Sequence, residues 1–462
     1  MTKPKALTRR NRLITTLYTL ELAGLESEDQ LPFQDNFEMN ISADGRRFVA
    51  LKVFSGKSSS GMRELLASLQ PLTPEGKKHV EAPMDAFTIR RLEEDHFCAV
   101  LEPLGTSLSE IIDEAFDRRY ALNEPKGYKQ RVLEGDPWSI NFAKRACWQI
   151  LAALDHLHSC GIAHRDIRSS NVCFALDHDL SALGENEIQK LWELDFEEYK
   201  IRSVEQWLAC DPGDAAAEPH SEEWNKANFF NSRHDIELLQ RRDGKPFGPG
   251  EIRYTIAPTP LDNGYDLNKV VDPDQAQTFT LLTDLGLASR FEDCATRPMP
   301  LSSDYMAPEG LLDLPCTHKA DVFSLGLLFW EIVMLRPLVE RQFQAHDPGY
   351  AELKNRQLHD LAVRLGPIPS ALRARWRDAD RFVDAEGNAL KLPKEADDDD
   401  DDEEEDEGEE DFSKRDIWHY ARKSKPLDMS DGYMELFVRL LLRMLQWEPE
   451  MRPSAAELMQ EE

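Results

Sequence analysis

The chain has 462 residues, 41% hydrophobic and 31% charged, which excludes global disorder and leaves ample apolar side chain for a large core. Its 86 acids outnumber its 55 bases, for a formal charge of −31; the fourteen acids within Asp397–Asp411 carry part of this and leave −17 on the remainder. That balance argues against a basic nucleic-acid face and makes basic peptides the natural partners.

Residues 1–30 read as an extension with a helix around Leu13–Leu25. Its basic start (Lys3, Lys5, Arg9, Arg10, Arg12) lacks the apolar core of a signal peptide, so it reads as a solvated terminus. Phe37–Ile41, the turn Ser42-Ala43-Asp44-Gly45 and Arg46–Phe54 predict a strand, a tight turn and a second strand. His96–Leu101 predicts another strand, and Glu102-Pro103-Leu104-Gly105 then breaks regular structure as a hinge would. From Asn141 to His158, Cys147, Ile150, Leu151, Leu154 and Leu157 share one face of a helix. Ala320–Leu335 is apolar nearly all round and predicts a buried helix, and Gly432–Trp447 predicts an amphipathic one.

Two stretches read as insertions. Between Asn171 and Asp284 lie 112 residues carrying Trp192, Trp207 and Trp224, a composition that predicts partial folding. Pro393–Phe412 is dominated by the acidic run, which cannot bury apolar surface and predicts disorder. Seven scattered cysteines include no C-x-x-C pair, which favours a reducing compartment over a disulfide framework. The longest apolar run, Val322–Leu335, is interrupted by Ser324, Gly326 and Glu331, so no membrane span is expected.

Five motifs stand in a fixed order: Val49-Ala50-Leu51-Lys52; Glu64 within Met62-Arg63-Glu64-Leu65-Leu66; His164-Arg165-Asp166-Ile167-Arg168-Ser169-Ser170-Asn171; Asp284-Leu285-Gly286 after Leu281-Leu282-Thr283; and Ala307-Pro308-Glu309. The ordered set resembles the eukaryotic protein kinase superfamily over roughly residues 35–455. A closer likeness is to the SR-protein kinases and their fungal relatives. Phe97–Leu108 looks like the hinge of that group, the long insertion falls where those kinases carry a spacer, and Arg364–Pro369 with Phe382–Asn388 is like their large-lobe insert.

The resemblance implies an α+β, two-lobed protein kinase fold: a small β-rich N-lobe with one main helix at 31–103, and a large mostly helical C-lobe at 104–455. The insertions fall at about 176–280 and 393–412, and 456–462 form a tail. It implies ATP and Mg2+ as cofactors, and a basic, arginine-serine-type protein substrate phosphorylated on serine or threonine. In that scheme Asp166 orients the substrate hydroxyl and accepts its proton, and Arg168 faces the transferred phosphate. Asn171 and Asp284 hold the metal, Lys52 fixed by Glu64 holds the phosphates, and Glu102 and Leu104 line the nucleotide hinge. Glu309 pairs with Arg452, and Asp321 receives catalytic-loop backbone. A monomer without nucleic-acid or membrane partners, cytoplasmic or nuclear, completes the expectation.

Three features depart from the pattern. Between Leu22 and Phe37 only Gly24 is present, with Glu26, Glu28, Asp29 and Asp35 around it, where a glycine-rich phosphate loop is expected. Arg165 stands where SR-protein kinases have a smaller residue, and Arg168-Ser169-Ser170 replaces the Lys-Pro of serine/threonine kinases. Two other functions therefore stand beside an active kinase: a pseudokinase acting as an interaction module with weak or no nucleotide binding, and a small-molecule phosphotransferase.

Overall fold

The computed structural model describes residues 16–20, 47–53, 62, 64–66, 69, 78–91, 94–102, 104–122, 128–130, 138–175, 236–238, 254–256, 280–296, 304–339, 350–392 and 415–460. The strand expected at 37–41, the glycine-poor loop, Trp192, Trp207, Trp224 and the acidic run lie outside them. The chain divides into two compact units, 1–64 with 82–106 and 176–265, and 65–81 with 107–175 and 266–462.

The first unit is built on a four-stranded antiparallel sheet, ordered β1-β2-β4-β3. Its strands are β1, Thr16–Leu20; β2, Arg47–Val53; β3, Asp85–Arg91; and β4, Glu94–Leu101. The helix expected around Leu13–Leu25 is thus corrected to a strand. Thr16, Tyr18 and Thr19 favour extended backbone, and β2 offers them an edge to complete. The expected break at Glu102–Gly105 is also shorter, because β5, Leu104–Ser107, already begins at Leu104. Residues 62 and 64–66 are helical, and a small hairpin pairs Ile236–Leu238 with Tyr254–Ile256.

The second unit is mainly helical. After α1, Leu108–Arg119, comes α2, Ile140–Ser159, whose first turn is capped by the Ser139 hydroxyl accepting from Phe142 N at 3.2 Å. Its apolar stripe from Phe142 to Leu157 is buried, as the periodicity predicts. Gly161, at φ +71°, supplies the left-handed turn that lets the chain leave α2 for β6, Ile162–Ala163. Then come β7, Val172–Ala175; β8, Thr280–Leu282; and β9, Ser289–Arg290. They pair antiparallel as β7 with β8 and β6 with β9.

Helix α3, Lys319–Met334, is the core: every residue from Ala320 to Met334 is buried, as its uniform apolarity predicts. Gly326 lets its backbone approach the end of a later helix; a Cβ there would lie 2.9 Å from Leu445 Cδ2 and 3.2 Å from Met444 Cβ. The remaining helices are α4, Tyr350–Leu365; α5, Ile417–Ser424; and α6, Asp431–Met444, which ends three residues before the expected Trp447. A last turn, Ala455–Leu458, closed by a Ser454–Glu457 capping box, extends order into the stretch 456–462 expected to be tail. Among the described residues no helix is long and apolar enough to cross a membrane, and no disulfide joins the cysteines.

One buried ion pair fastens this unit. The guanidinium of Arg452 meets Glu309 through Nη1–Oε1 and Nη2–Oε2, both at 2.7 Å. Its remaining three hydrogens go to the carbonyls of Gln446, Lys319 and Trp447 at 2.8, 3.1 and 3.2 Å. All five donors are therefore used, and the side chain is 0% exposed. The fork shape is what makes this burial tolerable, and an ammonium cannot reproduce it. Arg452→Lys should destabilise the protein by about 3 kcal/mol in denaturant titration, with retained stability arguing against the fork.

Candidate active site

The four residues assigned to the large-lobe chemistry come together in the second unit. Asn171 ends the short turn Ser169–Asn171 just before β7, and Asp284 lies two residues past the end of β8. Pairing of Val172 with Leu282 places the two chain ends side by side despite the 112 residues between them. The Asn171 carbonyl then accepts both Thr283 N at 2.8 Å and Thr283 Oγ1 at 3.1 Å. Strand β8 is itself clamped. Gln149 of α2 accepts from Thr280 N at 2.7 Å, and residues 79–81 exchange backbone bonds with Leu282.

The catalytic loop is held from two sides. Asp321 of α3 accepts from His164 N at 2.8 Å and Arg165 N at 2.7 Å, as expected of that buried acid, and also from His158 Nε2 at 3.0 Å. His164 Nε2 donates to the Thr283 carbonyl at 2.8 Å, while its Nδ1 accepts from Asp166 N at 3.2 Å. The two partners together fix one neutral tautomer, protonated on Nε2. Arg165 and Asp284 both adopt left-handed backbone, at φ +69° and +58°. Such strain in non-glycine residues persists only where the surroundings enforce it, and here the enforcing bonds converge on the loop.

Within the loop, Asn171 Nδ2 donates to the Asp166 carbonyl at 2.8 Å and to Asp166 Oδ2 at 3.0 Å. Both amide hydrogens are thus directed at Asp166, and the carboxamide presents its oxygen as a ligand. Asp284 caps the turn Leu285–Leu287 by accepting from Gly286 N at 3.1 Å. Burial pushes the Asp166 carboxyl above the usual aspartate range. The charge of Arg168 pulls it back, the Asp284 charge adds to the rise, and the hydrogen bond from Asn171 opposes it. Arg168 Nε is buried and takes no hydrogen bond from the protein, leaving a donor suited to an anionic oxygen.

The other four expected residues belong to the first unit. Lys52 is buried in β2 opposite Ala99, and Glu64 is exposed on its helical turn. Glu102 is exposed just past β4, and Leu104 is half-buried at the start of β5. One group was not foreseen from sequence: Ser169, Tyr305 and Glu331, successively 136 and 26 residues apart along the chain, are hydrogen-bonded in the interior. No spacing rule links such positions.

The donor set suits a hard cation. Among the described residues no group of three or more His, Cys, Asp and Glu could bind a metal alone. Mg2+ asks for less: a carboxylate and a carboxamide oxygen, with water and substrate phosphates completing an octahedron. Asp284 carries a carboxylate and Asn171 a carboxamide oxygen, so the two residue types fit that demand.

Residues 268–462 match the family model of the protein kinase domain. The matched segment takes in Asp284, Glu309, Asp321 and Arg452. A crystal structure of a kinase domain aligns with 91% of this chain and 92% of its own, at 18% identity and a TM-score of 0.43. No curated protein matches the chain.

Asp321 joins this segment to the catalytic loop, so its carboxylate is the natural point of attack. Burial by itself would raise its carboxyl, but the bond from His158, the charge of His158 and the Arg165 amide carry it below the ordinary range. A depressed folded-state pKa contributes stability above the unfolded value and loses it as pH falls through the folded one. Asp321→Asn should therefore destabilise by about 2 kcal/mol near neutral pH, and the gap from wild type should shrink in acid. A gap independent of pH in denaturant titrations would contradict the role of the charge.

Proposed function

We propose that the protein is a serine/threonine protein kinase, transferring the γ-phosphoryl group of Mg-ATP to a hydroxyl in a basic, arginine-serine-type protein. The observation that carries this reading is the joining of Asp166, Asn171 and Asp284 at one place by the β7–β8 ladder and the Asn171–Asp166 hydrogen bonds. Asp166, held by Asn171 and by His164, orients the substrate hydroxyl and receives its proton at a carboxylate oxygen as the new P–O bond forms. Arg168 directs a buried N–H toward the charge that spreads over the transferred oxygens. Asn171 and Asp284 hold the metal, which when bound neutralises phosphate charge. Lys52, the last residue but one of β2, is assigned to the α and β phosphates, with Glu64 as its partner and Glu102 and Leu104 at the adenine.

Support for a basic substrate comes from the charge of −31, and support for an SR-protein-kinase kind from the Phe97–Leu108 hinge sequence and the placement of the long insertion. The glycine-poor stretch between Leu22 and Phe37 favours the second reading, a pseudokinase that binds nucleotide weakly and serves as an interaction module.

Phosphate incorporation into an arginine-serine peptide separates the two. Wild type should transfer phosphate, and Asp166→Asn should lower the rate at least about a hundredfold; transfer that survives the substitution, or none in wild type, would sink the kinase reading. Millimolar Mg-ATP should also raise the melting midpoint, and an unmoved midpoint supports the interaction module.

Acid should silence the enzyme earlier than an ordinary aspartate would predict. The raised Asp166 carboxyl takes up its proton at higher pH, and the protonated form cannot accept another. The acid limb of kcat should therefore lie above the usual aspartate range; a limb at or below that range would count against Asp166 as the acceptor.

A further inference from the structure

We propose that Ser169 is a positioning residue that couples the catalytic loop to the segment at Asp304–Tyr305 through a directed hydrogen-bond chain ending on Glu331. The inference deepens the kinase reading and rests on it for its functional half.

The chain is interior: Ser169 is 3%, Tyr305 6% and Glu331 1% exposed. Glu331, a carboxylate, can only accept, so Tyr305 Oη donates to Glu331 Oε2. Having given its hydrogen there, the tyrosine oxygen accepts from Ser169, whose hydroxyl lies 2.9 Å from Tyr305 Oη and 3.5 Å from Glu331 Oε1. Bonds in series toward a buried charge strengthen one another. In the order serine to tyrosine to glutamate every donor finds an acceptor, and the Ser169 hydroxyl lies within reach of Glu331 Oε1 as well.

The two ends of this chain lie where coupling matters. Ser169 stands three residues after Asp166 and opens the same turn that ends in Asn171. Tyr305 stands two residues before Ala307-Pro308-Glu309, and its backbone is fixed separately: Ser324 donates to the Tyr305 carbonyl at 2.7 Å, and Gln357 to the Asp304 carbonyl at 2.9 Å. Ser324 and Glu331 are seven residues apart on α3, two turns along one face, so one rigid helix holds both the backbone and the phenol of Tyr305. Ser169 is the member that belongs to the loop. A proline or alanine at this position could not donate, so the hydroxyl is a property of this chain's Arg168-Ser169-Ser170 sequence.

The test uses the full-length protein and hydrogen exchange by mass spectrometry. Ser169→Ala should speed amide exchange in the peptide covering 304–311 about tenfold. Tyr305→Phe should do the same in the peptide covering 164–172, and the double variant should be no faster than either single. Exchange in α6 should not change. An unaltered 304–311 peptide in Ser169→Ala, or acceleration spread equally over α6, overturns the coupling.

With an arginine-serine peptide, Ser169→Ala should lower peptide kcat/KM about tenfold while the KM for ATP stays constant. An equal change in the KM for ATP overturns the positioning role. If wild type transfers no phosphate, the kinase reading fails, and the exchange result still decides whether Ser169 couples the two segments.

Discussion

The backbone amides of His164 and Arg165 end on a single carboxylate, that of Asp321, and the rest of the site depends on that arrest. Asp321 lies in the first turn of the helix buried on every side, so the loop is referenced to the most rigid part of the unit. A carboxylate out of water requires several donors, and His158 with the two amides provides them. The left-handed backbone of Arg165 follows from this, since both amides must face one acid. Removing the acid would free the strain and leave two buried donors without acceptors.

The second constraint is the β7–β8 ladder, which fixes Asn171 and Asp284 with respect to each other. His164 ties the two constraints together, for its ring bonds the Thr283 carbonyl on one side and the Asp166 amide on the other. Loop, strand pair and buried helix thus form one closed hydrogen-bonded circuit. Arg452 and Glu309 close a second circuit farther along, in which a five-donor guanidinium satisfies four acceptor residues at once.

Charge within the site is balanced. Burial and Asp284 favour a protonated Asp166, while Arg168 and Asn171 favour the carboxylate. A group poised in this way can accept a proton more readily than one locked in its ionised form by a tight ion pair. The same Arg168 keeps a buried Nε–H that makes no hydrogen bond within the protein.

Much of this was legible in the sequence. The Ala320–Leu335 run, apolar nearly all round, reads as a buried helix, and the Asn141–His158 stripe defines its own inward face. His164–Asn171, Asp284-Leu285-Gly286 and Ala307-Pro308-Glu309 name their chemistry because each requires particular residue types at short spacings. Short-range physics sets those patterns, so a sequence displays them. Thr16–Leu20 was misleading because a leucine-rich segment satisfies helical spacing, while its fate as β1 depended on an edge offered by β2 far along the chain. The Ser169–Tyr305–Glu331 chain, the tautomer of His164 and the raised carboxyl of Asp166 were likewise decided only in the tertiary structure. Each arises from burial and from partners brought close across more than a hundred residues in most cases, and no local pattern carries that information.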